Sequence, residues 1–202
     1  SKTINIKRIN KLNPSLKKKI NEDIKKIISK RVFLRKKNHM LMGIVNMTPD
    51  SFSDGGKFNS YIKAITRINN LKKSGADIID IGGESTRPGS KVIPPKKELQ
   101  RVYKLLEKFK KKFPKTLLSI DTRKSLVMNF SIKHKVDIIN DVSCFKFDPK
   151  SFDLVKNKNL WKIIHHMQGT PQTMQINPKY NNVILDIYDF FESEIKKFKK
   201  LK

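Results

Sequence analysis

The sequence predicts an α/β protein: a TIM-type (β/α)8 barrel of which about five β/α units are present, with a basic helical N-terminal extension. Three observations carry this prediction. From residue 40 onward, short apolar runs alternate with amphipathic helical stretches, a pattern that makes either an open doubly wound sheet or a barrel. Runs such as Ile78-Ile79-Asp80-Ile81 and Asp137-Ile138-Ile139 are near-continuous, as expected for parallel strands covered on both faces. Every run also ends in polar residues, which a barrel would gather on its C-terminal rim. No GxGxxG or GxxxxGK[ST] motif follows the first strand, which weakens the nucleotide-binding alternative.

Taken in order, residues 1–38 are strongly basic, contain no glycine and hold one helical stripe, Leu16, Ile20, Ile24, Ile27 and Ile28. Asn13 or Ser15 could cap that helix. These residues form the predicted extension, and 39–202 form the barrel domain. Strand one is expected over Leu41–Asn46, with a helix around Tyr61–Ser74. Strand two, Asp77–Ile81, leads to a helix over Pro95–Lys112. Strand three, Thr116–Ile120, precedes a helix from about Lys124. Strand four, Val136–Ile139, is followed by a short helix over Pro149–Lys156. Strand five, Leu160–Ile164, is followed by a long helix from Asn182, with Ile184, Ile187, Phe190, Phe191, Ile195 and Phe198 along one stripe. A full barrel needs about eight units and 250 residues, so the pattern covers the first five.

The formal charge of +27 does not point to a nucleic-acid reader. Arginine occurs only seven times among the 45 basic residues, and the lysines are spread along nearly the whole chain. Sequence-reading proteins concentrate charge and favour the planar arginine fork. Unspecific attraction to polyanions at low salt is all that this charge implies. The single cysteine, Cys144, excludes an intrachain disulfide and reads as a buried thiol. No apolar run reaches the ~20 residues of a membrane span, and the N-terminus lacks the apolar core of a secretory signal. The expected location is cytoplasmic, without a membrane or specific nucleic-acid partner.

The loop after strand one, Asn46 to Gly56, is polar and glycine-terminated, which suits a lid over a charged ligand. The loop after strand two, Gly82-Gly83-Glu84-Ser85-Thr86-Arg87-Pro88-Gly89, offers glycines for close approach and donors for an anion. On neighbouring strands the two would form a phosphate-handling surface. Asp121 and Asn140 end adjacent strands and could hydrogen-bond a flat heterocycle. Asp121 reads equally well as a helix cap. Asp141 is expected to stabilise its own loop. His165 and His166 face opposite sides of a strand, so they cannot easily share a metal. One should face the rim and the other the helices.

The segments Asn46–Gly56, Asp80–Gly89, Ser119–Thr122, Asp137–Asp141 and His166-Met167-Gln168-Gly169-Thr170-Pro171 resemble, in order and spacing, those of the dihydropteroate synthase family. The resemblance covers residues 40–202. It implies a (β/α)8 barrel, homodimeric when complete, that uses Mg2+ to join a pterin pyrophosphate to p-aminobenzoate. It places Asn46 on the Mg2+ and pyrophosphate, and Thr86 on the substrate with Arg87 and Pro88 nearby. Asp121 and Asn140 would hold the pterin ring, with Asp121 stabilising positive charge as the C–O bond breaks. Asp50 and Phe52 would close over the site and help form the p-aminobenzoate pocket. Site residues that the family carries on strands six to eight have no counterpart here, so residues 1–202 alone are expected to lack turnover. A pterin-binding methyltransferase domain, a non-catalytic pterin-binding paralogue and a polyanion-binding protein are the competing readings.

Overall fold

The computed structural model describes residues 12–28, 39–48, 57–86 and 90–199. Five strands, β1 (Met42–Asn46), β2 (Ile78–Gly82), β3 (Leu117–Asp121), β4 (Ile138–Asp141) and β5 (Trp161–Ile164), form one parallel sheet in chain order. They alternate with α2 (Lys57–Lys73), α3 (Pro95–Lys112), α4 (Ser125–Lys133), α5 (Pro149–Val155) and α6 (Val183–Lys199), while α1 (Pro14–Ile28) precedes the sheet in sequence. Strands added one after another through helical crossovers are the pattern of a β/α barrel. The chain divides into two compact units, Ser1–His39 with Lys179–Asp189, and Met40–Pro178 with Phe190–Lys202.

In the first unit, Asn13 rather than Ser15 caps α1. Its Oδ1 accepts the Ser15 N–H at 2.9 Å, and Pro14 takes the first helical position, where a missing donor costs nothing. Asn182 caps α6 in the same way, accepting from Ile184 and Leu185.

The second unit holds the sheet. Each strand begins one or two residues later than the apolar runs suggest, and β2, β3 and β4 also end later. The cause lies in Gly82 and the polar residues Asp121, Asn140 and Asp141, whose backbones pair in the ladder although residues of these types read as loop. At the opposite end, two related segments do the same job. Asp77, just before β2, accepts the Leu41 N–H at 2.8 Å; Asp137, just before β4, accepts the Leu118 N–H at 2.7 Å. Each carboxylate ties the start of its strand to the preceding one.

One face of the sheet is a dry core. Val45, Ile79, Ile81, Leu118, Ile120 and Ile139 pack against Ile68 of α2, Val102, Leu105, Leu106 and Phe109 of α3, and Val127 and Met128 of α4. Burying side chains of this size contributes about 1.5–3 kcal/mol each. In α6, Phe198 joins this layer against Phe145 and Phe152, whereas Ile184 is 71% and Ile195 42% exposed, so the stripe is not buried throughout. The other face meets the expectation of cover on both sides over its middle strands, where Asp80, Ser119 and Ile138 are buried, and opens at its edge strands. There Ile44 and Trp161, level on β1 and β5, are 57% and 58% exposed, and the middle strands carry Asp80 and Ser119 between them.

Candidate ring-binding rim

Parallel pairing puts Asn46, Gly82, Asp121, Asn140 and Ile163 in one row across the C-terminal edge of the sheet. Residues paired across parallel strands point to the same face, so three polar side chains emerge together on the face away from the helices. Gly82 makes this possible. A Cβ there would approach Asn46 Oδ1 tightly, at 3.3 Å, and would lie in ordinary contact with Asp121 Oδ2 at 3.6 Å. Gly83 serves the other face. A Cβ there would meet Glu98 Cγ and Val102 Cγ1 at 2.9 Å and the Glu98 carbonyl at 3.0 Å, so α3 could not pack as closely.

Asp121 accepts no hydrogen bond from any described side chain or N–H, and it caps no helix. The start of α4 is capped by Asp148, whose Oδ2 takes the Ser125 N–H at 2.8 Å while its Oδ1 takes the Lys150 N–H at 3.0 Å. Of the two readings, the geometry removes the helix cap. Burial, reinforced by Asp80, Glu98, Asp141 and Glu84, pushes the Asp121 carboxyl up to about 8. In a chain of charge +27, this rim gathers carboxyl groups.

Asn140 is buried and held at both ends of its amide. Its Nδ2 donates to Asp80 Oδ2 at 3.1 Å, and its Oδ1 lies 2.7 Å from His165 Nε2. Asp80 sits one step below the row, on the same face and level with Ser119. Burial raises the Asp80 pKa, and Ser119, Asn140 and His165 offset part of that. His166 turns the other way, edge-on to Phe190 of α6 at 4.9 Å, so the two histidines divide between rim and helices as their adjacency predicts. Asp141 also behaves as expected. It accepts from the Ser143 N–H and hydroxyl at 2.7 Å and the Phe145 N–H at 3.1 Å, holding a turn in which Cys144 and Phe145 both have positive φ.

The second loop is anchored by a buried ion network that the sequence reading passed over. Glu84 accepts from Arg123 Nε at 3.0 Å, from Lys124 Nζ at 2.8 Å and from the Ile93 N–H at 2.9 Å; Lys124 also reaches Glu98 at 2.6 Å. Two carboxylates meet two cations, and those cations lower the Glu84 pKa despite its burial. The Ser90 hydroxyl donates to the Ser85 carbonyl at 2.6 Å, and Gln172 Nε2 reaches the Ser90 carbonyl at 2.7 Å, tying this loop to the one after β5. Only the pairing of an acidic residue after β2 with the basic Arg123-Lys124 after β3 hinted at the network. Beside it lies a cavity of about 330 Å3, lined by Arg123, Ser143, Phe147, His165 and Thr170 among others; the Arg123 guanidinium lies over the Phe147 ring at 3.9 Å.

Of the remaining sequence-predicted site residues, Thr86 is half-buried at the end of the described part of the second loop. Asp50, Phe52, Arg87 and Pro88 lie outside the described residues. No group of three His, Cys, Asp or Glu side chains among the described residues could cage a metal. Asn46 nevertheless offers one hard oxygen at the mouth of the row. One such ligand fits Mg2+, which often keeps its waters and binds through a substrate's phosphates rather than in a protein cage.

A parallel β/α sheet that adds its strands in chain order is the architecture of a β/α barrel, a class of protein that binds its ligands at the C-terminal rim of the strands. The family profile described as pterin binding enzyme matches residues 42–201, and the chain belongs to that family. Dihydropteroate synthase of Escherichia coli K12 is 42% identical over 155 residues, covering 77% of this chain and 54% of that protein. The Haemophilus influenzae synthase is 41% identical over 152 residues, with 75% and 54% covered. The Yersinia pestis synthase, solved with a sulfonamide drug complex, superposes with a TM-score of 0.72 at 37% identity, covering 80% of this chain and 58% of that one. The Burkholderia cenocepacia synthase, complexed with 7,8-dihydropteroate, gives 0.69 at 36% identity, with 82% and 55% covered. The chain thus spans about half the length of the curated relatives it matches.

Proposed function

We propose that this chain carries the ring-binding part of a dihydropteroate synthase. The reaction condenses (7,8-dihydropterin-6-yl)methyl diphosphate with p-aminobenzoate to give dihydropteroate and diphosphate. The observation that carries the reading is Asp121, an uncompensated carboxyl in a carboxyl-rich rim, level with the amides of Asn140 and Asn46. A cation-stabilising group has to be strongest where charge develops, and a fixed carboxyl in a poorly solvated site meets that need.

As the C–O bond breaks, its electron pair leaves with the diphosphate and positive charge spreads over the pterin. Asp121 in its ionised form faces that charge, while Asn140 orients the ring. The p-aminobenzoate nitrogen then forms the new C–N bond and loses a proton. Thr86, with Arg87 and Pro88, belongs to the substrate-binding second loop, and Asp50 and Phe52 to the closing first loop. A Mg2+ held through Asn46 would offset charge on the diphosphate. A homodimer, a cytoplasmic location and a domain boundary at 38/39 form part of the same proposal.

The test is steady-state kinetics with the pterin diphosphate varied. Asp121→Asn keeps size and some hydrogen bonding but removes the charge, and should lower kcat by about 10²–10³. Asn140→Ala should raise KM more than it lowers kcat, because its amide serves ground and transition states alike. Near-normal kcat in Asp121→Asn, with only a lower melting temperature, would overturn the assignment.

A further inference from the structure

The two ends of an asparagine amide are nearly the same size but opposite in hydrogen-bonding character, so an unrestrained Asn can present either to a ligand. Asn140 is restrained from both sides. An ionised Asp80 can only accept, which places the Asn140 NH2 against it at 3.1 Å and turns Oδ1 toward His165 at 2.7 Å. His165 Nε2 must then be the donor. We propose that His165 is a positioning residue of the rim: its Nε2–H on Asn140 Oδ1, opposite Asp80 on Nδ2, holds the amide in one orientation and so sets which heterocycle edge the site accepts. This rests on the reading of the rim as the pterin site.

The restraint has a job because Asp80 alone does not secure it. Burial raises the Asp80 pKa, and a protonated Asp80 could donate to the amide oxygen and turn the group over. With His165 as donor, the turned amide would set N–H against N–H, which costs about the penalty of a buried unsatisfied donor. Burial also lowers the His165 pKa, which favours a neutral ring carrying one N–H. Fixed in this way, the amide keeps one free N–H on the Asp80 side and one free oxygen lone pair on the His165 side. A ring edge with a donor and an acceptor in that order fits it; the reversed order meets like against like.

The experiment has one arm with ligand and one without. Binding of a dihydropterin is measured by calorimetry to the wild-type chain and to His165→Leu, His165→Gln, Asn140→Ala and the His165→Leu/Asn140→Ala pair. His165→Leu should weaken binding about tenfold, the loss of roughly one buried hydrogen bond. His165→Gln, whose amide can donate, should recover most of it. Against Asn140→Ala, His165→Leu should change affinity by less than about twofold, since a residue acting through another has nothing further to lose. Equal losses in both backgrounds would show that His165 acts independently of Asn140 and would overturn the proposal. In the second arm, imidazole 15N shifts of the unliganded wild-type chain should show His165 protonated at Nε2 and bare at Nδ1. An Nδ1–H tautomer would sink the proposal whatever the ligand. If Asn140→Ala left dihydropterin binding intact, the pterin reading of the rim would fail, while the tautomer would still decide the geometry.

Discussion

In the proposed reaction Asp121 is the residue that faces the developing charge, and its raised pKa has two consequences. Because the folded value is raised to about 8 from 3.8, the group favours the folded state most below the unfolded value. That contribution is lost as pH rises through the folded value. Replacing Asp121 with Asn should therefore raise the melting temperature of the unliganded chain at pH 9 relative to wild type and leave it nearly unchanged at pH 4. A pair of thermal melts checks this, and an equal shift at both pH values would contradict it. The proposed mechanism uses the ionised form, so kcat/KM should climb with pH toward about 8 and lose that limb in Asp121→Asn, since this parameter follows free-enzyme ionisations. Stability and activity thus pull in opposite directions at one carboxyl, as expected where a site holds an under-solvated charge.

Among elements, the turn after β2 separates positioning from packing within two adjacent glycines. Gly82→Ala would press on Asn46 Oδ1 while leaving the helix layer alone, so turnover should fall with little change in melting temperature. Gly83→Ala would press on the α3 backbone and should cost about 1–3 kcal/mol of stability, as overpacking does. Comparing kcat and denaturant midpoints for the two variants tests this; identical profiles would show that the faces are not independent. The ion network joins the same turn to β3. Lys124 is 1% exposed between Glu84 and Glu98, so Lys124→Met would leave two buried carboxylates short of a partner. Breaking a buried pair from one side costs about 3–5 kcal/mol. Adding Glu98→Gln should restore part of that loss in urea unfolding.

For the molecule as a whole, charge and architecture are separate matters. The charge of +27 is spread along the chain, while the rim holds its acids close together. Binding to DNA or RNA should be weak and should collapse between about 50 and 200 mM salt, the mark of unspecific counterion release. Sequence-selective binding that survives physiological salt would overturn this. Residues 1–202 tested by themselves should show no synthase turnover, because the sheet face that carries the rim stands open at Ile44 and Trp161.

Much of this was legible from the chain. Periodicity located all five β/α units, since apolar runs and amphipathic stripes answer directly to strand and helix geometry. Strand-end polarity singled out Asn46, Asp121 and Asn140, which the register brings into one row, and the adjacency of His165 and His166 required them to part. Chain order alone could not say which histidine faces the rim, because that depends on strand register, and register is a property of paired strands. Nor could it tell that Asp121 is not a cap, since its rival Asp148 lies 23 residues beyond the N–H it satisfies at Ser125. Glu84, Lys124 and Glu98, like Asp80, Asn140 and His165, are brought together across intervals of 25–60 residues. Local sequence encodes propensity and pattern, which is why the elements could be read. Hydrogen-bond partners and buried charge pairs form only when distant strands close on one another, and that was left to the tertiary structure.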